Sequence, residues 1–354
     1  MTLSKITLLT VFLFLEMGFS SEVSAQDATK GAYVCTPCNK ACDALNFDKG
    51  GVCNHCNMPL LLQRDLVKKR KIAFYLQDGV EILDFAGPME VFAYAGFEVF
   101  TVSKNKQPIL TQGILKIIPD YGIADAPSAD ILAFFGGNAS EAHNDPEVIK
   151  WVTSQQNIEY YFSVCTGAFI LAESGLLKGK SATTFHNALD GLQHNYPEIK
   201  VLENVRFVDN GSIITTAGIS AGIDGALHLV AKLNGFNAAR NVAYYMEYDK
   251  WMPGEGRLLS DDNPYTGFMD IDKLEAYVGS YEYLDDMQIE ITINENEKSL
   301  LAVVNKRKYP LFYHKTDSLS NVSGDTIIFE RRANKTVSGF KSIKYGDTLF
   351  LKLN

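Results

Sequence analysis

A chain of 354 residues with 46% hydrophobic and 21% charged residues is too apolar for a disordered tail and too polar for a many-span membrane protein. Its 33 basic and 42 acidic residues leave a net charge of −9, a field that repels phosphate backbones and argues against nucleic acid as a partner. The length implies more than one unit, and the six cysteines divide unevenly: five lie between Cys35 and Cys56, and Cys165 stands alone.

At the N-terminus Lys5 precedes an apolar run, Ile6–Leu15, followed by the small-x-small site Val23-Ser24-Ala25. This is the pattern of a cleaved secretory signal over residues 1–25, with a mature start near Gln26. The run is shorter than the about 20 residues a bilayer needs, so no stable transmembrane span is expected after cleavage. An uncleaved anchor is the alternative. The expected location is exported, periplasmic or secreted.

Residues 30–62 form a small Cys-rich module. Cys35-Thr36-Pro37-Cys38 and Cys53-Asn54-His55-Cys56 are two C-x-x-C pairs. Thiolates three positions apart on a tight turn grip an ion from one side, and two such knuckles complete a tetrahedron suited to zinc. Cys42 and His55 are alternate ligands. Export also permits disulfides among the five thiols, and a redox C-x-x-C is a third reading. A closed four-thiolate site would be structural or metal-sensing.

Residues 70–252 alternate strand-like and helix-like runs. Lys71–Leu76, Glu98–Ser103, Ile131–Phe135 and Glu159–Val164 read as strands, and Gly87–Ala95 as a helix. This alternation predicts an α/β unit with a parallel sheet sandwiched by helices, whose ligands bind at the carboxyl ends of the strands. Residues 270–354 carry short runs separated by turns, including Met287–Ile293, Leu300–Val304, Pro310–Tyr313, Thr326–Glu330, Val337–Tyr345 and Thr348–Leu353. They predict a small antiparallel β domain whose aromatic residues form its core.

Cys165 falls directly after a predicted strand and before a helix-like stretch. A strand-to-helix elbow would set the thiol at a helix N-terminus, whose dipole and N–H groups favour thiolate. A buried core cysteine is the plain alternative. Three other segments sit at strand ends: LDFAGPMEVF from Leu83, FFGGNA from Phe134, and AGISAGIDGALHLVA from Ala217.

Together with SVCTGAFILAESGLLKGKSATTFH from Ser163, these motifs resemble the ThiJ/PfpI superfamily, and within it the isonitrile hydratases and the amidotransferase-like N-terminal domains of AraC-type regulators. The resemblance covers about residues 71 to 250 and implies a flavodoxin-like fold with Cys165 as nucleophile. It also implies Asp84, in the loop after the first strand, as acid–base partner, and Gly137 as a source of backbone N–H near the sulfur. Thr166 follows the nucleophile, where its hydroxyl would bond Asp84 or substrate. In the peptidase-like branches a His often holds that position, so peptidase chemistry is disfavoured. Many hydratases carry Thr-His-Trp where this chain has Thr184-Phe185-His186, which leaves His186 as a pocket candidate or a structural residue. Asp224 and His228 read as a helix-dipole acid and a packed residue.

The leading expectation is an exported hydro-lyase or hydrolase that adds water to a small carbon–nitrogen compound through a Cys165 thioimidate. Asp84 would serve as general acid and base. No cofactor is expected for catalysis. The alternatives are a non-catalytic small-ligand or metal and redox-stress sensor, or a glyoxalase-like or amidase-like activity. A homo-oligomer is expected by the same resemblance.

Overall fold

Along the strand Lys71–Tyr75, Ile72 and Phe74 face one apolar cluster while Ala73 and Tyr75 face another. That period of two, with both faces apolar, is what a strand buried on both sides requires. The structure, a computed structural model, describes residues 33–35, 41–49, 52–56, 60–63, 69–265, 271–284, 287–322 and 324–353. The predicted signal segment and Cys38 lie outside the described residues.

The central sheet is built from β1 (Lys71–Tyr75), β2 (Glu98–Ser103), β3 (Tyr121–Gly122), β4 (Ile131–Phe134), β5 (Tyr160–Val164), β6 (Phe207–Asp209), β7 (Ile213–Thr216) and β8 (Arg257–Leu258). Their order is β8-β6-β7-β5-β4-β1-β2-β3. Neighbours run parallel except β6 and β7, an antiparallel hairpin. The sequence reading found β1, β2, β4 and β5 and missed the shorter strands. Pairing of β8 carries this unit past residue 252.

Among the described residues the longer helices that flank the sheet are α1 (Ile82–Tyr94), α2 (Pro146–Ser154), α3 (Ala168–Glu173), α4 (Leu189–Asn195), α5 (Ala221–Asn234) and α6 (Phe236–Tyr245), with a four-residue helix at Ser140–His143 beside them. α1, α5 and α6 supply the cluster on one face, and α2, α3 and α4 the cluster on the other. Each fully buried Leu, Val or Phe in these layers contributes roughly 1.5–3 kcal/mol. α1 begins five residues before its expected start at Gly87. Pro88 sits inside it without breaking it, although it leaves the Asp84 carbonyl without the usual N–H partner.

Two smaller units flank this core. The N-terminal strand Tyr33–Cys35 pairs antiparallel with Asn46–Phe47 and Leu60–Leu62, and its core is Tyr33, Cys35, Cys42, Cys53 and Leu60. So few apolar side chains cannot hold a fold alone, which leaves a role for the thiols. At the C-terminus eight antiparallel strands follow one another from Gly279–Glu282 to Leu349–Leu351. Tyr281 bridges to Lys352 and the Leu353 N–H donates to the Ser280 carbonyl at 2.7 Å, closing the sheet into a barrel. Tyr277, Tyr281, Phe329, Phe340 and Phe350 fill its interior as core.

α6 fastens the barrel to the α/β unit. Arg240, 3% exposed, donates from Nε to Glu297 Oε2 at 3.0 Å and from Nη1 to the Leu311 carbonyl at 2.8 Å. Asn237 donates to the Tyr313 carbonyl at 2.9 Å. Among the described residues no helix is long and apolar enough to cross a membrane.

Candidate active site and thiol cluster

Four neighbouring strands, β1, β4, β5 and β7, deliver the sequence-predicted residues to one edge of the sheet. Asp84 lies in the first turn of α1 after β1, Gly136 and Gly137 follow β4, Cys165 follows β5, and Ile219 follows β7. Parallel strands carry their following turns to the same end, so residues 135 positions apart in sequence meet there.

Cys165 adopts φ of +58°, a left-handed conformation uncommon for a residue with a side chain. Such a residue costs about 1–3 kcal/mol and persists only where its surroundings hold it. Its N–H donates to the Ala217 carbonyl at 3.2 Å, and its carbonyl accepts from Thr184 Oγ1 at 2.7 Å. Gly167 permits the elbow, because a Cβ there would lie 2.4 Å from the Phe134 carbonyl oxygen. The turn Cys165–Gly167 then runs into α3.

Asp84 is wholly buried, yet both carboxyl oxygens are held. Oδ2 accepts from the Gly136 N–H at 2.8 Å and Oδ1 from the Ile219 N–H at 3.0 Å. Gly136 separates this carboxyl from the thiol: a Cβ on it would lie 2.8 Å from both Asp84 Oδ2 and Cys165 Sγ. Gly137, with φ of +83°, presses on residues 79–81, where a Cβ would meet the Gly79 carbonyl oxygen at 2.3 Å.

The electrostatics differ from the sequence expectation of a depressed thiol. Burial, and then the negative Asp84, push Cys165 up to about 12, against the N–H groups of Thr166 and Gly137. The side chain is 6% exposed, and α3 has only six residues to supply a dipole, so desolvation wins. Burial also raises the Asp84 carboxyl to about 7, opposed by the Gly136 and Ile219 N–H groups. At neutral pH the thiol keeps its proton and the carboxyl is poised to exchange one.

Thr166 Oγ1 donates to the Gly137 carbonyl at 3.3 Å, fixing the glycine turn where a bond to Asp84 or substrate was expected. His186 is exposed and rests on the ring of Phe185 at 4.2 Å, while Phe185 packs on Gly218 beside Ile219. Asp224 pairs with Arg206 and accepts from Tyr248 Oη at 3.0 Å, more than the dipole role expected for it. His228 is packed, bonded to Asp209 and Tyr265 at 2.8 Å each. Sequence reasoning missed Gly136, Thr184 and Ile219 as site residues. All three lie inside the motifs singled out, but only the fold shows which atoms they present.

In the N-terminal module the sulfurs of Cys35, Cys42, Cys53 and Cys56 lie within 4.8 Å of one another, and these four could hold a metal ion. Three belong to the expected set, and Cys42, the expected alternate, is the fourth. His55 is exposed, its backbone N–H donating to Cys53 Sγ at 3.4 Å. The Cys35 and Cys56 sulfurs are 3.1 Å apart, too far for a bond of about 2.05 Å. A tetrahedron with zinc–sulfur bonds of about 2.3 Å sets sulfurs roughly 3.8 Å apart; the Cys35–Cys56 separation is shorter than that, while a set of four thiolates is of the kind that binds zinc.

The DJ-1/PfpI family profile matches residues 70–232. Isonitrile hydratase of Pseudomonas putida is 35% identical over 181 residues, 50% of this chain and 78% of that protein. The HTH-type transcriptional regulator CdhR of Pseudomonas aeruginosa is 27% identical over 177 residues, 48% of this chain and 52% of the regulator, so the chain spans about half of that relative. A crystal structure of a ThiJ/PfpI family protein from Pseudomonas syringae matches with 27% identity and a TM-score of 0.48, covering 58% of this chain and 81% of that one. With the elbow, the paired carboxyl and the doubly covered sheet in place, the chain belongs to the DJ-1/PfpI family.

Proposed function

We propose that this protein is an exported, Cys-dependent hydratase that converts a small isonitrile to an N-substituted formamide. The observation that carries this reading is the meeting of Asp84 and Cys165 across Gly136, with each carboxyl oxygen held by a backbone N–H. The likeness to isonitrile hydratase over the same half of the chain supports it. So does access: a cysteine only 6% exposed admits a slender terminus, and an isonitrile ends in a linear two-atom group.

In the first step Cys165 Sγ bonds to the isonitrile carbon. The thiol proton passes to the Asp84 carboxylate and from there to the same carbon, giving a thioformimidate, R–N=CH–S–Cys165. In the second step Asp84 takes a proton from water as its oxygen bonds to that carbon. Nitrogen gains a proton, the carbon–sulfur bond breaks, the thiol regains its proton and R–NH–CHO leaves. One water is added overall and no oxidant is needed. A carboxyl near pKa 7 suits both directions of transfer, and the Gly137 N–H can meet charge developing on sulfur.

Cys35, Cys42, Cys53 and Cys56 would hold zinc as a closed, structural crosslink that supplies rigidity to a module too small to fold by its own core. The signal-like N-terminus supports export, and a homo-oligomer fits the family. A second reading, a small-ligand sensor, draws on the likeness to regulators such as CdhR, although here a β barrel follows the shared domain.

The test is turnover of an alkyl isonitrile in heavy-oxygen water and in D2O. The hydratase reading expects ¹⁸O in the formamide and deuterium at its formyl carbon. Tight calorimetric binding without any formamide would favour the sensor instead. Release of a product from glyoxals or amides, but not isonitriles, would redirect the substrate class.

A further inference from the structure

Gln77 lies two residues beyond the end of β1 and is buried, and among the described residues its side chain makes two hydrogen bonds. Its Nε2 donates to the Phe135 carbonyl at 3.0 Å and to the Gly136 carbonyl at 3.1 Å. Its own carbonyl, Oε1, is buried with no hydrogen-bond partner among the described residues. A buried acceptor left unpaired costs desolvation without return, so this amide is present for its two N–H donors.

Those two carbonyls belong to particular peptide units. The unit that carries the Phe135 carbonyl also carries the Gly136 N–H, which donates to Asp84 Oδ2 at 2.8 Å. The unit that carries the Gly136 carbonyl also carries the Gly137 N–H, which faces the Cys165 sulfur. In a trans peptide the N–H and C=O point in opposite directions. A donor placed on each carbonyl therefore aims the opposite N–H and polarises it, strengthening the bond it makes in a buried site. The Glu81 N–H adds a second donor to the Gly136 carbonyl at 3.1 Å, whereas Gln77 reaches both.

We propose that Gln77 is a positioning residue that grips, from behind, the two peptide units whose N–H groups serve Asp84 and Cys165. For turnover this inference rests on the hydratase reading above, but its effect on the thiol does not. Gln77 touches neither the sulfur nor the carboxyl, and it acts through the glycine turn.

The test compares wild-type protein with Gln77→Met, which keeps the length and loses both donors, and Gln77→Glu, which puts acceptors against the two carbonyls. Alkylation of Cys165 by iodoacetamide is followed by peptide-resolved mass spectrometry across pH, which separates it from the five N-terminal thiols. Expected are a several-fold slower reaction at fixed pH in both variants and a titration midpoint displaced upward. Isonitrile turnover should lose about tenfold in kcat with KM held within about twofold, less than the loss of a direct donor because Gln77 acts at one remove. A merely structural role would lower the melting temperature and leave the alkylation profile and kcat unchanged at a temperature well below it. That result, in either variant that folds, overturns the proposal. Should wild-type protein fail to hydrate isonitriles, the hydratase reading falls, while the alkylation comparison still decides the role of Gln77.

Discussion

The carboxyl of Asp84 and the thiol of Cys165 face each other across Gly136, which has no side chain to keep them apart. Asp84 comes from the first turn of α1 and Cys165 from a left-handed elbow after β5, and both are nearly closed to solvent. This is an arrangement in which one proton can be passed between a sulfur and a carboxyl without water between them.

Gly136→Ala tests that closeness. The added methyl would stand 2.7 Å from Cys165 Cβ and 2.8 Å from both reactive atoms, so the pair must separate. Isonitrile turnover is expected to fall about a hundredfold or more, with a stability loss of about 1–3 kcal/mol from overpacking. Retention of near-normal kcat would show that the two groups need not meet.

The raised carboxyl of Asp84 makes stability depend on pH. Its pKa is 3.8 in the ordinary state and about 7 when folded, so the folded chain holds a proton that the unfolded chain gives up between those values. The stabilisation is complete below about pH 4 and is lost as pH rises through 7, on the order of 4 kcal/mol in all. Denaturant midpoints measured from pH 5 to 8 should therefore fall more steeply in wild type than in Asp84→Asn. Equal slopes would contradict the burial argument.

Arg240 and Glu297 bolt the barrel to α6. Breaking a buried pair leaves a charge behind, so Arg240→Leu is expected to cost about 3–5 kcal/mol in thermal or denaturant unfolding. The double variant Arg240→Leu with Glu297→Leu should recover a large part of it. No loss in the single variant would place the junction elsewhere.

For the thiol cluster, elemental analysis should find about one zinc per chain. Cys42→Ala should lose it, while His55→Ala should keep it. Loss on Cys38→Ala with retention on Cys42→Ala would reverse the ligand set.

Much of this site was legible in the chain, because each motif marks a strand end and parallel strands gather their ends. Cys165, Asp84 and Gly137 could be singled out that way, and the C-terminal runs from Met287 onward fall on strands of the barrel, except that the run Val337–Tyr345 ends in a short helical turn at Ile343–Tyr345. The thiol's proton affinity could not be read, since it depends on burial and on Asp84, eighty-one residues away in sequence and adjacent in space. Spacing made Cys42 only an alternate ligand, yet the turn Ala41–Ala44 packs on the strand Tyr33–Cys35 and brings its sulfur to those of Cys35, Cys53 and Cys56, while Cys38 lies outside the described residues. Gln77 carried no signal at all. Its meaning lies in two carbonyls that accept from it, in a turn almost sixty residues away.

Covalent chemistry at Cys165 is checked by formamide production from an isonitrile by wild-type and Cys165→Ser protein, with intact-mass analysis during turnover. It requires an adduct of one isonitrile on the wild-type chain, located at Cys165, and loss of nearly all turnover in the variant. Full turnover by Cys165→Ser, or a wild-type reaction that proceeds with no adduct and no sensitivity to the thiol, would contradict it.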